Sequence, residues 1–329
     1  MDIRSLKRSA SDTLQSPGCT LKRLVLIHSA ISAAIALLLL LADQLLSNAM
    51  ASAGGLSGMG THAVLSTTQS VLKLGQLAIM PFWRAGLIFA ALSCIRSQAP
   101  ATGDLLQGFR RWKPMLSSSL MLGLRYLGVG FVSVYLSTQI FMFTPMAKPV
   151  YEAAIKASND PSVDMDALVS SSMQSSTAVL LVLFLVVFAL LALPVYYRYR
   201  MTTYLIMDKE DMGGMRAMLT SRLMTHRRRM ELFKLDLSFW WFYVLELVLT
   251  AIGFGDLLLA AAGVELPFSA DAAFWVFQCL ALAAQVGLYY LARPKLEAAY
   301  AHCYELFLTM EPPAPKPAPK PPKNTPWTY

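Results

Sequence analysis

Charge is what this chain has least of: 15% of its 329 residues are charged, against 56% hydrophobic. A soluble domain carries about a quarter charged residues, and no soluble core has room for such an apolar surplus. Cysteine is scarce too. Cys19, Cys94, Cys279 and Cys303 are scattered without a C-x-x-C pair, which argues against a disulfide framework and a thiolate metal site. The histidines, His28, His62, His226 and His302, are equally dispersed, and His302 and the adjacent Cys303 point different ways round a helix. H-E-x-x-H, G-x-S-x-G, a Walker loop and a dinucleotide fingerprint are all missing, so no catalytic residue, metal ligand or cofactor is assigned. No nucleophile is paired with a base, which leaves an enzyme unsupported. Nucleic-acid-binding patterns are missing as well. The formal charge of +8 is therefore assigned to loops facing anionic lipid.

Long apolar runs are what the chain does have. Leu24 to Leu41, Ala178 to Val195 and Phe242 to Ala262 approach or reach the roughly 20 residues that cross about 30 Å of hydrocarbon. The expected fold is an all-α, polytopic transmembrane helical bundle of about six spans, 23–46, 71–94, 116–144, 177–197, 235–262 and 271–293. A basic N-terminal segment, 1–22, precedes this membrane domain of 23–306, and a Pro/Lys-rich tail, 307–329, follows it. Ala49-Met50-Ala51 has the form of a signal-peptidase site, but the basic leader and the apolar run before it are both too long for a typical signal peptide.

Basic residues fix the expected orientation. Of 28 Lys and Arg, 23 fall in the N-terminal segment, the second and fourth loops and the C-terminal segment. The first, third and fifth loops hold only Lys148 and Lys156. Because Lys and Arg are retained on the cytoplasmic side, both termini are expected to be cytoplasmic. The tail from Glu311, with its alternating Pro and Lys, reads as an extended, solvated segment.

Three ionisable residues fall deep inside expected spans: Arg84, Arg125 and Glu246. Each lies about 10 residues from the cytoplasmic end, or about 15 Å at 1.5 Å per residue, near the bilayer midplane. A lone charge there is costly and normally pairs inside the bundle. Glu246 neutralises only one arginine, so either the other takes an anionic group through its bidentate fork or glutamines, tyrosines and carbonyls complete a buried network. Asp43 and Lys73 sit at matching depths and are a candidate outer pair.

Arg216, Arg222, Arg227, Arg228 and Arg229 form a candidate cytoplasmic surface for lipid or a partner. Met212, Met215, Met218, Leu219 and Leu223 recur nearby at helical spacing, which predicts an amphipathic helix on the inner leaflet. The block from Ser221 to Trp241 then runs through the basic cluster into Phe239-Trp240-Trp241, where aromatic rings mark the headgroup level.

Several blocks resemble a known family. They are Leu6-Lys7-Arg8-Ser9-Ala10, Pro81-Phe82-Trp83-Arg84-Ala85-Gly86 and Asp104-Leu105-Leu106-Gln107-Gly108-Phe109-Arg110-Arg111. Further on come Pro194 through Tyr204 to Asp208, Ser221-Arg222-Leu223-Met224, Phe233 to Phe239 with Trp241, Gly253-Phe254-Gly255, and Pro294 with Ala298, Ala299, Tyr300 and Tyr304. Together they resemble the bacterial membrane proteins catalogued as domain of unknown function 975. The resemblance implies a polytopic helical protein of the bacterial plasma membrane and brings no catalytic residue with it.

The expected function is a non-enzymatic one, exercised through the anionic inner leaflet, a membrane-protein partner or self-association at the basic cytoplasmic face. The competing expectation is a transporter or lipid-handling protein that binds an anionic group at the midplane arginines.

Overall fold

The computed structural model describes residues 2–52, 59–148, 151–152, 155, 165–256, 259 and 269–310. The tail from 311 onward and parts of the loops at 47–70 and 145–176 lie outside the described residues. The helices are α1 (Ile3–Gln15), α2 (Leu21–Ser52), α3 (Met59–Ile95), α4 (Gln107–Arg110), α5 (Trp112–Met142), α6 (Met165–Tyr199), α7 (Thr202–Asp208), α8 (Gly214–Met224), α9 (Arg229–Leu237), α10 (Trp240–Gly253) and α11 (Ala270–Thr309). A 3-10 turn, Thr102–Leu106, precedes α4. Among the described residues there is no strand, and the protein is an all-α polytopic bundle. Leu21–Met50, Val64–Ile95, Trp112–Met142, Val179–Asp208 and Ala272–Thr309 are long and apolar enough to span a membrane. A sixth span results if α9 and α10, bent by 61°, count as one.

The chain divides into two compact units, Met1–Met115 with Met201–Tyr329, and Leu116–Arg200. In the first unit α11 is the central helix and packs against α1, α2, α3 and α10. At 40 residues it is about 60 Å long, roughly twice the hydrocarbon thickness. Its two halves differ accordingly. Leu296, Ala298, Ala299, Tyr300, Ala301, Cys303, Tyr304 and Phe307 are buried, while Val276, Leu280 and Leu291 are exposed. α2 and α3 divide the same way: Leu21 to Ser29 and Phe82 to Cys94 supply core residues, whereas Leu38, Leu45, Leu74 and Leu77 face outward. Protein packs one half of each helix, and hydrocarbon is left to cover the other.

α1 closes the packed end. Asp2 is extended and accepts the Arg4 N–H at 2.9 Å, the usual way to satisfy a first-turn donor. Leu6, Ala10 and Leu14 recur every four residues and are buried, while the polar face stays outside.

α3 is held against the 3-10 turn and α4 by two glycines. A Cβ on Gly86 would lie 1.8 Å from the Leu105 carbonyl oxygen, and one on Gly108 would lie 2.0 Å from that of Phe82. Phe82 and Phe109 stack beside this contact at 5.7 Å. Only hydrogen at both positions lets the two backbones approach so closely.

The chain breaks inside the stretch expected to form span five. Ser238 Oγ donates to the Leu235 carbonyl at 2.6 Å, and the Ser238 carbonyl accepts from Lys7 Nζ at 2.6 Å. With that carbonyl turned to a side chain, the ladder stops and α10 restarts at Trp240. α10 has 14 residues, about 21 Å, so without α9 it falls short of a full span.

In the second unit, Leu120, Leu124, Leu127 and Phe131 of α5 and Leu181, Val182, Leu185 and Leu190 of α6 are exposed. α6 continues through Pro194 to Tyr199, as membrane helices often do. Near its end the Tyr196 and Tyr197 rings meet edge-on at 5.1 Å, and Arg200 lies 5.0 Å from the Tyr196 ring centre.

Candidate functional site

Four residues of α11 at four-residue spacing, Gln285, Tyr289, Arg293 and Glu297, form a polar ladder in the first unit. Tyr289 OH donates to Glu246 Oε1 of α10 at 2.5 Å, and Gln285 Nε2 donates to the Tyr289 oxygen at 3.2 Å. One turn on, the Arg293 guanidinium lies 4.9 Å from the Tyr289 ring centre, and its Nε is 3.6 Å from Glu297 Oε1. Tyr204 OH of α7 donates to Glu297 Oε2 at 3.3 Å. Glu297 is 1% exposed, a burial that a carboxylate tolerates only when paired and hydrogen-bonded.

α2 and α3 supply a second layer. The His28 and Trp83 rings stack at 5.0 Å. Trp83 Nε1 donates to Ser32 Oγ at 2.9 Å, and Ser32 Oγ donates to the His28 carbonyl at 2.7 Å. Arg84, Arg293 and Glu297 all act electrostatically on the buried His28 ring. Neither His28 nitrogen meets a partner at hydrogen-bond geometry, although the Trp83 backbone lies close enough to influence the ring. Arg84 Nε is likewise buried without a hydrogen bond.

Of the three midplane candidates, Glu246 joins the ladder through Tyr289. Among the described residues no ion pair links it to Arg84. Arg125 belongs to the second unit, where its guanidinium sits 4.3 Å from the Tyr199 ring centre, a cation–π contact. Asp43 and Lys73 do meet, at 3.3 Å, with Gln69 also donating to Asp43. Arg293, Glu297, Tyr289, Tyr204 and His28 are not among the sequence candidates: Arg293 is the last residue of the expected span 271–293, and Glu297 lies beyond it. The signal that would have found them is the four-residue recurrence from Gln285 to Glu297, since residues so spaced share a helix face. Arg84, Arg293, Glu246 and Glu297 balance formally in charge. They lie on three helices, α3, α10 and α11, and the hydrogen bonds of Tyr289 to Glu246 and of Tyr204 to Glu297 tie α10 and α7 to α11.

The basic surface is more divided than expected. On α8, Gly214, Ala217, Met218 and Ser221 are buried, and Met212 just before the helix is buried too. The expected methionine face therefore splits, with two methionines turned into the protein. The outward face carries Met215, Leu219 and Leu223, with exposed Arg222 on one side and Arg216 on the other. Arg227 is exposed and adopts a positive φ of 66°. Arg228 and Arg229 are half-buried, and Arg228 lies 5.2 Å from the Phe307 ring centre. Met230, Phe233, Leu237, Trp240 and Trp241 extend the exposed apolar surface along α9 into α10. Lys7 clamps the corner, its Nζ 4.3 Å from the Phe239 ring centre, and burial pushes its ammonium below the usual lysine range.

Arg96, just past α3, ties three helices. Its Nη1 is 2.5 Å from Asp208 Oδ1 and its Nη2 is 2.7 Å from Glu305 Oε1. Its Nε donates to the same Glu305 oxygen at 2.8 Å. Tyr304 OH donates to the other Asp208 oxygen at 2.9 Å. The hydrogen bond to Asp208 above all, and then those to Glu305, hold the guanidinium above its usual range against the opposing effect of burial. Arg111 acts similarly, donating from Nη1 to the Ile206 and Met207 carbonyls at 2.7 and 3.0 Å. Among the described residues no group of three or more His, Cys, Asp or Glu side chains is placed to hold a metal ion.

No curated protein and no solved structure matches the chain. The glycine clasp falls within the Pro81–Gly86 and Asp104–Arg111 blocks, and the Lys7-clamped corner falls within Phe233–Phe239, so these blocks are contacts that build the packed end. The family model described as "Protein of unknown function (DUF975)" matches residues 1–286, most of the chain, and the protein belongs to that family.

Proposed function

We propose that this is a non-enzymatic protein of the bacterial cytoplasmic membrane, working through a basic inner face that grips anionic lipid. In this reading both termini are cytoplasmic, supported by the concentration of 23 of the 28 basic residues in segments on that side. The observation that carries the reading is the outward face of α8. Met215, Leu219 and Leu223 are exposed there with Arg222 and Arg216 flanking them. An apolar stripe between two arginines suits the boundary between acyl chains and headgroups: the stripe enters the bilayer, and the guanidinium groups reach phosphate on either side. The exposed Met230, Phe233, Leu237, Trp240 and Trp241 continue this face toward the bilayer entry of α10.

The test is lipid retention. Full-length protein is reconstituted into bilayers of equal phosphatidylglycerol and phosphatidylcholine, re-extracted, and its bound lipid weighed by mass spectrometry. The wild type is expected to retain phosphatidylglycerol preferentially, and Arg216→Gln with Arg222→Gln to lose most of that preference. An unchanged ratio in the double variant overturns the reading.

The second reading, an anionic group held inside the bundle, draws support from the buried Arg84 Nε that lacks a hydrogen bond. It predicts that Arg84→Gln lowers anionic-lipid retention while the α8 double variant leaves it intact.

A further inference from the structure

We propose that Arg125, with Arg198 and Arg200 of the same unit, holds the phosphate of an anionic phospholipid at the inner leaflet. The proposal rests on the orientation and the lipid chemistry given above, and it adds a site in the second unit, separate from the α8 face.

Helix length puts Arg125 at the membrane boundary. The apolar run of α6 ends at Val195, and Tyr196-Tyr197-Arg198-Tyr199-Arg200 follows, the order in which a span gives way to headgroups. α5 has 31 residues and is about 46 Å long, so it outruns a hydrocarbon layer of about 30 Å. Met142, its last residue, lies about 26 Å along the helix from Arg125. Hydrocarbon measured from that end therefore stops just past Arg125. The guanidinium accordingly rests 4.3 Å from the ring centre of Tyr199, the last residue of α6.

Charge then calls for an anion. Among the described residues Arg125 makes no ion pair. The tyrosine ring attracts the cation but does not neutralise it, and phosphate oxygens match the guanidinium donors two at a time. Arg198 and Arg200 stand at the same end, both half-buried, with Arg200 5.0 Å from the Tyr196 ring centre. The carboxylates of residues 116–200 are Glu152, Asp160, Asp164 and Asp166, which fall between α5 and the first turn of α6. Asp166 is about 50 Å along α6 from Tyr199. Just inside the boundary, Leu127 and Phe131 of α5 and Val186 and Leu190 of α6 are exposed, an apolar surface for the acyl chains beneath the phosphate.

The experiment places full-length protein in phosphatidylcholine bilayers with a trace of phosphatidylglycerol that carries a diazirine in its acyl chain near the glycerol. After irradiation, labelled peptides are mapped by mass spectrometry. Peptides covering 120–131 and 185–200 are expected to be labelled, and unlabelled phosphatidylglycerol to suppress that labelling where added phosphatidylcholine or inorganic phosphate does not. In Arg125→Gln the mole fraction of phosphatidylglycerol needed for half-suppression is expected to rise about tenfold, as for a lost hydrogen bond to a charged group. Arg125→Lys, which keeps the charge without the fork, is expected to fall between the two and serves alone if Arg125→Gln fails to fold. Arg216→Gln with Arg222→Gln is expected to leave labelling of these peptides unchanged. Equal suppression by phosphatidylcholine, suppression by inorganic phosphate, an unshifted midpoint in the Arg125 variants, or loss of labelling in the α8 double variant overturns the proposal. The α8 peptides are mapped in the same samples, so failure of this site is told apart from failure of the α8 reading.

Discussion

Gly86 and Leu105 meet backbone to backbone, so closely that a Cβ on Gly86 would sit 1.8 Å from the Leu105 carbonyl oxygen. The reciprocal contact of Gly108 with Phe82 makes this a two-point clasp. Gly86→Ala and Gly108→Ala are each expected to cost about 3 kcal/mol or more, because the obstacle is backbone that cannot swing aside. Gly103→Ala lies in the same turn with nothing within 4 Å of its Cβ position and is expected to be nearly neutral. Thermal unfolding in detergent compares the three, and equal midpoints would sink the clasp.

Arg96 is expected to tolerate neither shortening nor replacement by lysine. Its fork serves Asp208 and Glu305 at once, and a lysine ammonium has no such fork. Arg96→Ala is expected to cost about 2 kcal/mol, within the range for hydrogen bonds to charged groups, and Arg96→Lys to recover less than half. Full recovery by lysine in the same unfolding assay would mean that charge alone matters.

The Tyr289–Glu246 hydrogen bond is best weighed by a double-mutant cycle. Tyr289→Phe leaves the Glu246 carboxylate without its donor and is expected to cost about 1–3 kcal/mol. Combined with Glu246→Gln, the loss is expected to fall short of the sum by about 1 kcal/mol, as for groups in direct contact. Strict additivity would show that the two side chains are energetically independent.

Lys7 gives a pH dependence with a definite sign. Burial holds its folded-state value below the ordinary 10.5, so between the two values the unfolded chain binds more protons than the folded one. Stability from this group therefore rises with pH through that window, and the penalty of burying the ammonium is fully present below it. The wild type is expected to gain on Lys7→Met as pH is raised from 8 toward 10.5, read from paired unfolding midpoints. A gap that stays flat or narrows would contradict this assignment.

The helical bundle was legible in sequence because the length of an apolar run is a local property that the bilayer thickness converts directly into a span. The pairing of Asp43 with Lys73 was legible for a related reason, since their depths on consecutive helices match. The partner of Glu246 was not. It depends on how α10 is rotated against α11, and Tyr289 looks from sequence like any interfacial tyrosine. The methionine pattern around α8 misled in the same way: helical spacing revealed a face, while burial of Met212 and Met218 is set by packing, in which α8 lies against α7.

By itself, then, the sequence determined that this chain is helical, apolar beyond any soluble core, and basic in alternate loops, all consequences of composition and spacing along one dimension. Beyond the Asp43–Lys73 pair, tertiary structure decided which charges meet. It paired Arg293 with Glu297 and set the Lys7 ammonium on the Ser238 carbonyl, where the helix breaks. Such contacts join residues from 4 to 231 positions apart. They depend on the rotation and depth of each helix against the next, which packing sets and no single segment encodes.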